Sequence, residues 1–128
     1  MAPRLYRVIL PVSDIEGAAK FYDCLLGFEG ERVSSSRHYF DCGGTILACV
    51  EPAGEGLKFR PNLDHVYFAV DDIEAVFERA KEAGCSWLED EISTRPWDER
   101  SFYAKDPSGN PICFVDESTV FTGGRFVP

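Results

Sequence analysis

The spacing of apolar positions changes in a regular way along the chain. In Arg7-Val8-Ile9-Leu10-Pro11-Val12 the residues Val8, Leu10 and Val12 form a fully apolar set at every second position. That period belongs to a strand with one face in a core. From Ile15 the period lengthens, and Ile15, Ala18, Ala19, Tyr22, Leu25 and Leu26 fall on one stripe, which predicts an amphipathic helix. Ser13 and Glu16 have the spacing of an N-terminal cap with a reciprocal acid, and Gly27 stands where the helix stops. The same signals then return. Val66, Phe68 and Val70 alternate; Ile73, Val76, Phe77, Ala80 and Ala83 make a second stripe; Asp71 with Glu74 repeats the cap spacing; Gly84 repeats the stop.

This is an internal repeat. Arg7–Glu16 aligns with His65–Glu74 at an offset of 58, with five of ten positions identical. The halves also close alike, Gly44–Glu51 matching Gly109–Asp116 in glycine, apolar run and terminal acid. Each half has room for two further strands, expected at about 30–34 and 37–42 in the first, and at about 86–89 and 100–105 in the second. A turn is expected at Asp106-Pro107-Ser108-Gly109. The reading is an α+β fold of two tandem βαβββ modules with mixed sheets. Module one spans about 4–52, a Pro/Gly/charge-rich linker about 53–61, module two about 62–117, and an apolar tail 118–128. A chain of 128 residues holds one domain of this kind.

Strand phase assigns the remaining side chains to a second face. Arg7, Ile9 and Pro11 share it in the first strand, His65, Tyr67 and Ala69 in its counterpart; Ala48 and Cys113 occupy it in the closing strands. The pseudo-symmetry therefore singles out positions 7, 48, 65 and 113, and sheet curvature would turn them toward a cavity. Trp87, on a strand, is expected in the core.

Composition narrows the partners. Lys plus Arg number 13 against 22 Asp plus Glu, a net charge of −9, so phosphate-rich nucleic acid and anionic membranes are poor partners. No apolar run approaches the roughly 20 residues of a membrane span, and the start of the chain lacks a signal peptide's pattern. Five cysteines without a C-x-x-C pair or zinc-like spacing imply a reducing, cytoplasmic setting, with most of the thiols acting as buried apolar residues.

Several segments together carry a family resemblance: Val12-Ser13-Asp14 with Phe21-Tyr22 and Leu26-Gly27-Phe28; Asp64-His65-Val66 with Val70-Asp71-Asp72; and Asp106-Pro107-Ser108-Gly109-Asn110. In this order and spacing they resemble the vicinal oxygen chelate superfamily, which includes glyoxalase I, extradiol dioxygenases, and bleomycin- and fosfomycin-resistance proteins. The resemblance implies paired βαβββ modules curled around a cavity, usually in a dimer. It also implies four metal-ligand positions, which fall here on Arg7, Ala48, His65 and Cys113. Arginine repels a divalent cation and alanine has no donor, so no metal and no other cofactor is expected. Glu51, on the opposite strand face, and His38 are the possible replacements. Ser101–Ser108 resembles the strand and turn that carry a catalytic tyrosine in extradiol dioxygenases, with Tyr103 at that place.

The expected function is metal-free binding of a small molecule, in the sheet cavity or a groove of a homodimer. The expected ligand-binding residues are Arg7, Ala48, His65, Tyr67, Trp97, Tyr103 and Cys113. Arg7, if turned inward, calls for a carboxylate or phenolate, whereas the net charge of −9 favours approach by a cationic ligand, so the ligand's charge stays open. Trp97, in the loop Arg95–Arg100, serves as a lid, a wall or a contact with a partner subunit. Cys113 is a filler, or a nucleophile if Arg7 and His65 lower its pKa. No catalytic residue is assigned; Tyr103 and His65 are candidates as acid or base. The alternative is a metal-dependent lyase, isomerase or ring-opening dioxygenase acting on a vicinal-oxygen substrate.

Overall fold

The computed structural model describes residues 1–124. The first half runs β1 (Arg7–Pro11), α1 (Ile15–Leu26), β2 (Glu31–Ser34), β3 (Arg37–Cys42) and β4 (Thr45–Val50). The second runs β5 (Val66–Val70), α2 (Ile73–Ala83), β6 (Trp87–Leu88), β7 (Ser93–Thr94), β8 (Arg100–Lys105) and β9 (Pro111–Asp116). Each half makes its own mixed sheet, in the orders β1-β4-β3-β2 and β5-β9-β8-β6, with β7 also on β8. The opening and closing strands of each half pair in parallel, β1 with β4 and β5 with β9. That pairing requires the helix as a crossover between them. The short strand β7 is an addition to the expected pattern; Ser93 and Thr94 pair with Ser101 and Arg100, while β6 takes the other end of β8.

Both helices end as the glycines indicate, Gly27 and Gly84 adopting φ values of 81° and 99°. The N-terminal caps fall one residue later than the sequence spacing implies. Asp14 accepts from Glu16 N and Asp72 from Ala75 N, so Ser13 and Asp71 are not the caps. Ser13 instead meets Ser108 of the second half: its backbone N donates to Ser108 Oγ at 3.0 Å and the two hydroxyls share a hydrogen bond at 3.2 Å. A tertiary partner thus claims the side chain that local spacing assigned to the helix.

One core joins both halves. It contains the inner stripes of α1 and α2, the helix-facing residues Leu10, Phe40, Leu47 and Cys49 of the first sheet, and Phe68, Phe102, Ile112 and Phe114 of the second. Phe21 is buried beside the predicted α1 stripe. Trp87 corrects the expectation: it is 49% exposed, because its partner in register is Lys105, on the face turned away from the helices. Of the five cysteines, Cys49 and Cys113 are buried, Cys42 and Cys85 partly so, and Cys24 is exposed. Burial therefore claims fewer thiols than expected.

The linker region opens with a 3-10 turn over Pro52–Glu55, and Gly56 closes it in the left-handed conformation. After β9 another 3-10 turn, Glu117–Thr119, leads to Phe121, which is exposed. The tail's expected packing across a partner or cavity mouth concerns residues 125–128 as well, which lie outside the described residues. Among the described residues no helix is long and apolar enough to cross a membrane.

Candidate functional site

The face of the second sheet that points away from the helices carries an aromatic cluster. Tyr67 on β5, Cys113 on β9 and Tyr103 on β8 lie side by side in register. His65, just ahead of β5, stands edge-on to Tyr103 with centroids 4.8 Å apart and lies 6.0 Å from Tyr67; the two tyrosines are 6.4 Å apart. Strand alternation is the cause, since Phe68, Phe102, Ala104, Ile112 and Phe114 take the inner face and leave these residues the outer one. His65 and Tyr67 are exposed, Tyr103 is half-buried and Cys113 is buried beneath them.

Two further side chains complete this face. Arg95 lies over the Tyr103 ring at 4.6 Å, makes a 2.5 Å ion pair with Glu89, and donates to Ser101 Oγ at 3.0 Å. Glu89 also accepts from Tyr103 N at 3.0 Å, so one carboxylate holds both the strand and the guanidinium above its ring. The loop Arg95–Glu99 is a tight turn: Arg95 N donates to Glu99 O, Asp98 N donates to Arg95 O, and Asp98 has φ 71°. Arg95 and Glu89 were absent from the expected site. Alternation in β8 sets Ser101 and Tyr103 on this face, but no local pattern in the chain brings Glu89 and Arg95 to it.

Burial raises the Tyr103 phenol well above its ordinary pKa, and the neighbouring Tyr67 phenol acts in the same direction. The Cys113 thiol is pushed up to about 11 by burial, despite the opposing influence of Ser101 and Arg95. This overturns an activated thiolate. The cation beside Cys113 is Arg95, whereas Arg7 stacks against Tyr6 and Tyr39 on the first sheet, at 4.9 and 5.1 Å. Trp97 sits at the tip of the Arg95–Glu99 turn, exposed, and its indole N–H donates to Glu99 at 3.0 Å.

On the first sheet, Ile9, Ala48 and Tyr39 lie side by side across β1, β4 and β3 on the outer face. His38 is on the inner face, where Nδ1 accepts from Arg32 Nε and the ring packs 5.2 Å from Phe40. It is therefore not an alternative metal ligand on the outer face. Glu51 accepts from Ile15 N at 2.8 Å, binding the start of α1, and is likewise engaged elsewhere.

Of the four family ligand positions, Arg7 is a cation and Ala48 has no donor, which leaves His65 and Cys113. Among the described residues no group of three or more His, Cys, Asp or Glu side chains is placed to hold a metal ion. This donor set does not fit a divalent metal. A crevice of about 590 Å³ lies elsewhere, between the two halves, lined by Leu25, Leu26, Val66, Phe68, Val76 and Arg79 among others. Of the seven expected ligand-binding residues, Tyr67 alone borders it. The other six are not enclosed with it; they belong to the outer faces of the sheets or the loop beside them.

Two mixed sheets around paired helices, with parallel opening and closing strands, define an α+β protein built by duplication of one βαβββ unit. The sequence profile of the Glyoxalase/Bleomycin resistance protein/Dioxygenase superfamily matches residues 4–114, and the chain belongs to that superfamily. It is 25% identical over 123 residues to the uncharacterized protein YwbC of Bacillus subtilis strain 168, covering 89% of this chain and 98% of that one. A glyoxalase/bleomycin resistance protein from Albidiferax ferrireducens T118 superposes with a TM-score of 0.74 at 25% identity, covering 86% of this chain and 95% of its own. Lactoylglutathione lyase from Agrobacterium tumefaciens shares the fold at a TM-score of 0.69 and 18% identity, over 92% of this chain and 96% of that one.

Proposed function

We propose that this protein binds a small organic molecule without a metal, on the outer face of the second sheet. The observation that carries this reading is the convergence of His65, Tyr67 and Tyr103, with ring centroids 4.8 to 6.4 Å apart, on a face open to solvent. Aromatic rings with polar tips offer a planar ligand both contact area and hydrogen bonds. The Glu89–Arg95 pair holds the Tyr103 strand and ring in place, so this side of the platform is preorganised.

We infer that a second copy of the chain closes the site. Ile9, Tyr67 and Trp87, at 45%, 55% and 49% exposure, leave the outer faces apolar and uncovered in one chain. Five free cysteines favour a reducing, cytoplasmic location. A metal-dependent lyase, isomerase or dioxygenase would need at least three donor side chains converging at His65, and among the described residues no such group is placed.

Elemental mass spectrometry on chelator-free protein, before and after incubation with Fe(II), Mn(II), Ni(II) or Zn(II), tests the metal-free reading. Metal well below one per chain supports it. Near-stoichiometric metal that is lost in His65→Ala would overturn it in favour of the enzyme. A thermal-shift screen of planar aromatic compounds, repeated on Tyr67→Ala, then tests the platform. Hits that lose their shift in the variant support it, and hits indifferent to Tyr67 refute it.

A further inference from the structure

The outer face of the first sheet is organised around arginine. The N-terminal arm continues alongside β4 beyond the start of β1: Ile46 N donates to Tyr6 O at 2.7 Å and Thr45 Oγ1 to Leu5 O at 2.8 Å. This sets Tyr6 next to Arg7. Arg7 is exposed, but its side chain turns across the sheet instead of along its own strand. Its guanidinium lies 5.1 Å from the centroid of Tyr39, two strands away, and 4.9 Å from that of Tyr6, and Nη2 donates to Tyr6 Oη at 3.2 Å. Arg4 lies 5.5 Å from the Tyr6 centroid and donates to the Gly44 carbonyl. On the far side, Arg37 donates to Tyr39 Oη at 3.1 Å and pairs with Glu55.

Charge makes this arrangement informative. Acids outnumber bases by nine in this chain, and Arg32, Arg37, Arg95 and Arg100 each find a carboxylate. Among the described residues, Arg4, Arg7, Arg60 and Arg79 make no ion pair; Arg79 donates to the Leu25 carbonyl, and Arg7 alone lies against two aromatic rings. Asp41 shares the outer face in the same row as Arg7, across Ile46, but one of its oxygens accepts from Gly44 N at 2.8 Å. Arg7 keeps most of its N–H donors unused while two aromatic rings hold its plane. Below it the row Ile9, Ala48, Tyr39 forms an apolar floor, with the small Ala48 making a notch between two larger side chains.

We propose that this face is a carboxylate-binding subsite, with Arg7 as its bidentate anchor and the Ile9–Ala48–Tyr39 row as the floor for an apolar or aromatic body. A metal binds two ligand oxygens by coordination; a guanidinium binds the two oxygens of one carboxylate through parallel N–H bonds. Arg7 thus occupies a family metal-ligand position with a group that selects an oxyanion directly. The ligand class is a small monocarboxylate with a flat apolar body. This inference stands apart from the aromatic cluster on the second sheet.

The test uses benzoate as probe, with benzyl alcohol and benzamidinium as neutral and cationic counterparts. Each is titrated into the full chain while arginine side-chain Nε–H and tyrosine ring signals are followed by NMR. Benzoate is expected to shift the Arg7 signal saturably and more weakly as salt is raised. Arg7→Gln should weaken that binding about tenfold or more, and Arg7→Lys should restore part of it. Lys20→Gln, the same loss of charge on α1, should leave it unchanged. Equal binding of benzyl alcohol, unaltered benzoate affinity in Arg7→Gln, or no saturable binding up to the solubility of benzoate would each overturn the proposal. Shifts confined to His65, Tyr67 and Tyr103 would also overturn it, while leaving the proposed function standing.

Discussion

The phenol of Tyr22 on α1 donates to the carboxylate of Asp106 at 2.6 Å, joining two residues 84 apart in sequence. Both are buried. Asp106 also accepts from Ser108 N, Asn110 N and Asn110 Nδ2, and Asn110 Nδ2 reaches Pro11 O at 2.5 Å. The turn that closes the second half is thereby fastened to the helix and first strand of the other half. Burial and the neighbouring carboxylate hold the Tyr22 phenol well above its ordinary pKa.

Tyr22→Phe removes one donor from a buried carboxylate and leaves its other donors in place. The expected cost is about 1.5–3 kcal/mol, the range for hydrogen bonds to charged groups. Urea denaturation should show a lower midpoint at an unchanged m-value. A midpoint equal to that of the wild type would mean that the bond contributes nothing net.

His38 makes the protein sensitive to mild acid. Burial, together with the adjacent Arg32 cation, lowers its pKa below the ordinary 6.5, and Asp23 and Glu16 oppose the shift. Because the folded pKa is the lower one, the unfolded chain takes up the proton first. Stability is fully present above about pH 6.5, falls as pH drops through the unfolded value, and levels off below the folded one. The neutral ring accepts at Nδ1 from Arg32, and its buried Nε2 has no partner. His38→Gln should flatten this part of a stability–pH curve while the carboxylate-dependent loss at lower pH persists.

The thiols should divide by burial. Cys49 is pushed up to about 12 and Cys113 to about 11, whereas Cys24 is exposed on α1. A disulfide reagent at mildly alkaline pH should label Cys24 first, and Cys49 and Cys113 only on unfolding. Peptide mass mapping over time checks the order. Labelling of Cys113 as fast as Cys24 would contradict its burial beneath the aromatic cluster.

Glu89→Gln leaves Arg95 partly buried, at 15% side-chain exposure, without its anionic partner. The expected loss is about 1–3 kcal/mol, together with a displaced Tyr103 ring signal in NMR spectra. Weakened binding of the compounds that depend on Tyr67 should accompany it. Arg95→Lys should restore little of this order, because an ammonium cannot reproduce the paired contacts to Glu89 and the stacking on Tyr103.

Much of this molecule follows from short-range rules. Two-residue alternation assigns Leu10 and Phe68 to the core, and Tyr67 and Cys113 to the opposite face, before any tertiary contact is known. The 3.6-residue stripe and the two glycines place both helices, because a positive φ after the last turn is inexpensive for glycine alone. The repeat at offset 58 carries the doubling of the fold. The same rules fail where a distant partner competes. Ser13 turns to Ser108, so Asp14 caps α1; Trp87 follows the register of Lys105 to the surface.

The sequence by itself therefore determined the two-module α+β architecture, the order of every element but β7, and which side chains share a strand face, since each depends on backbone geometry repeated over a few residues. Tertiary structure alone decided that Arg95 rather than Arg7 stands beside Cys113, that Glu89 holds Arg95 over Tyr103, and that Arg7 reaches across the sheet to Tyr39. Long side chains have several torsions of similar energy. Which of these is populated depends on rings and charges brought close by the packed sheets, and no local pattern in the chain records that choice.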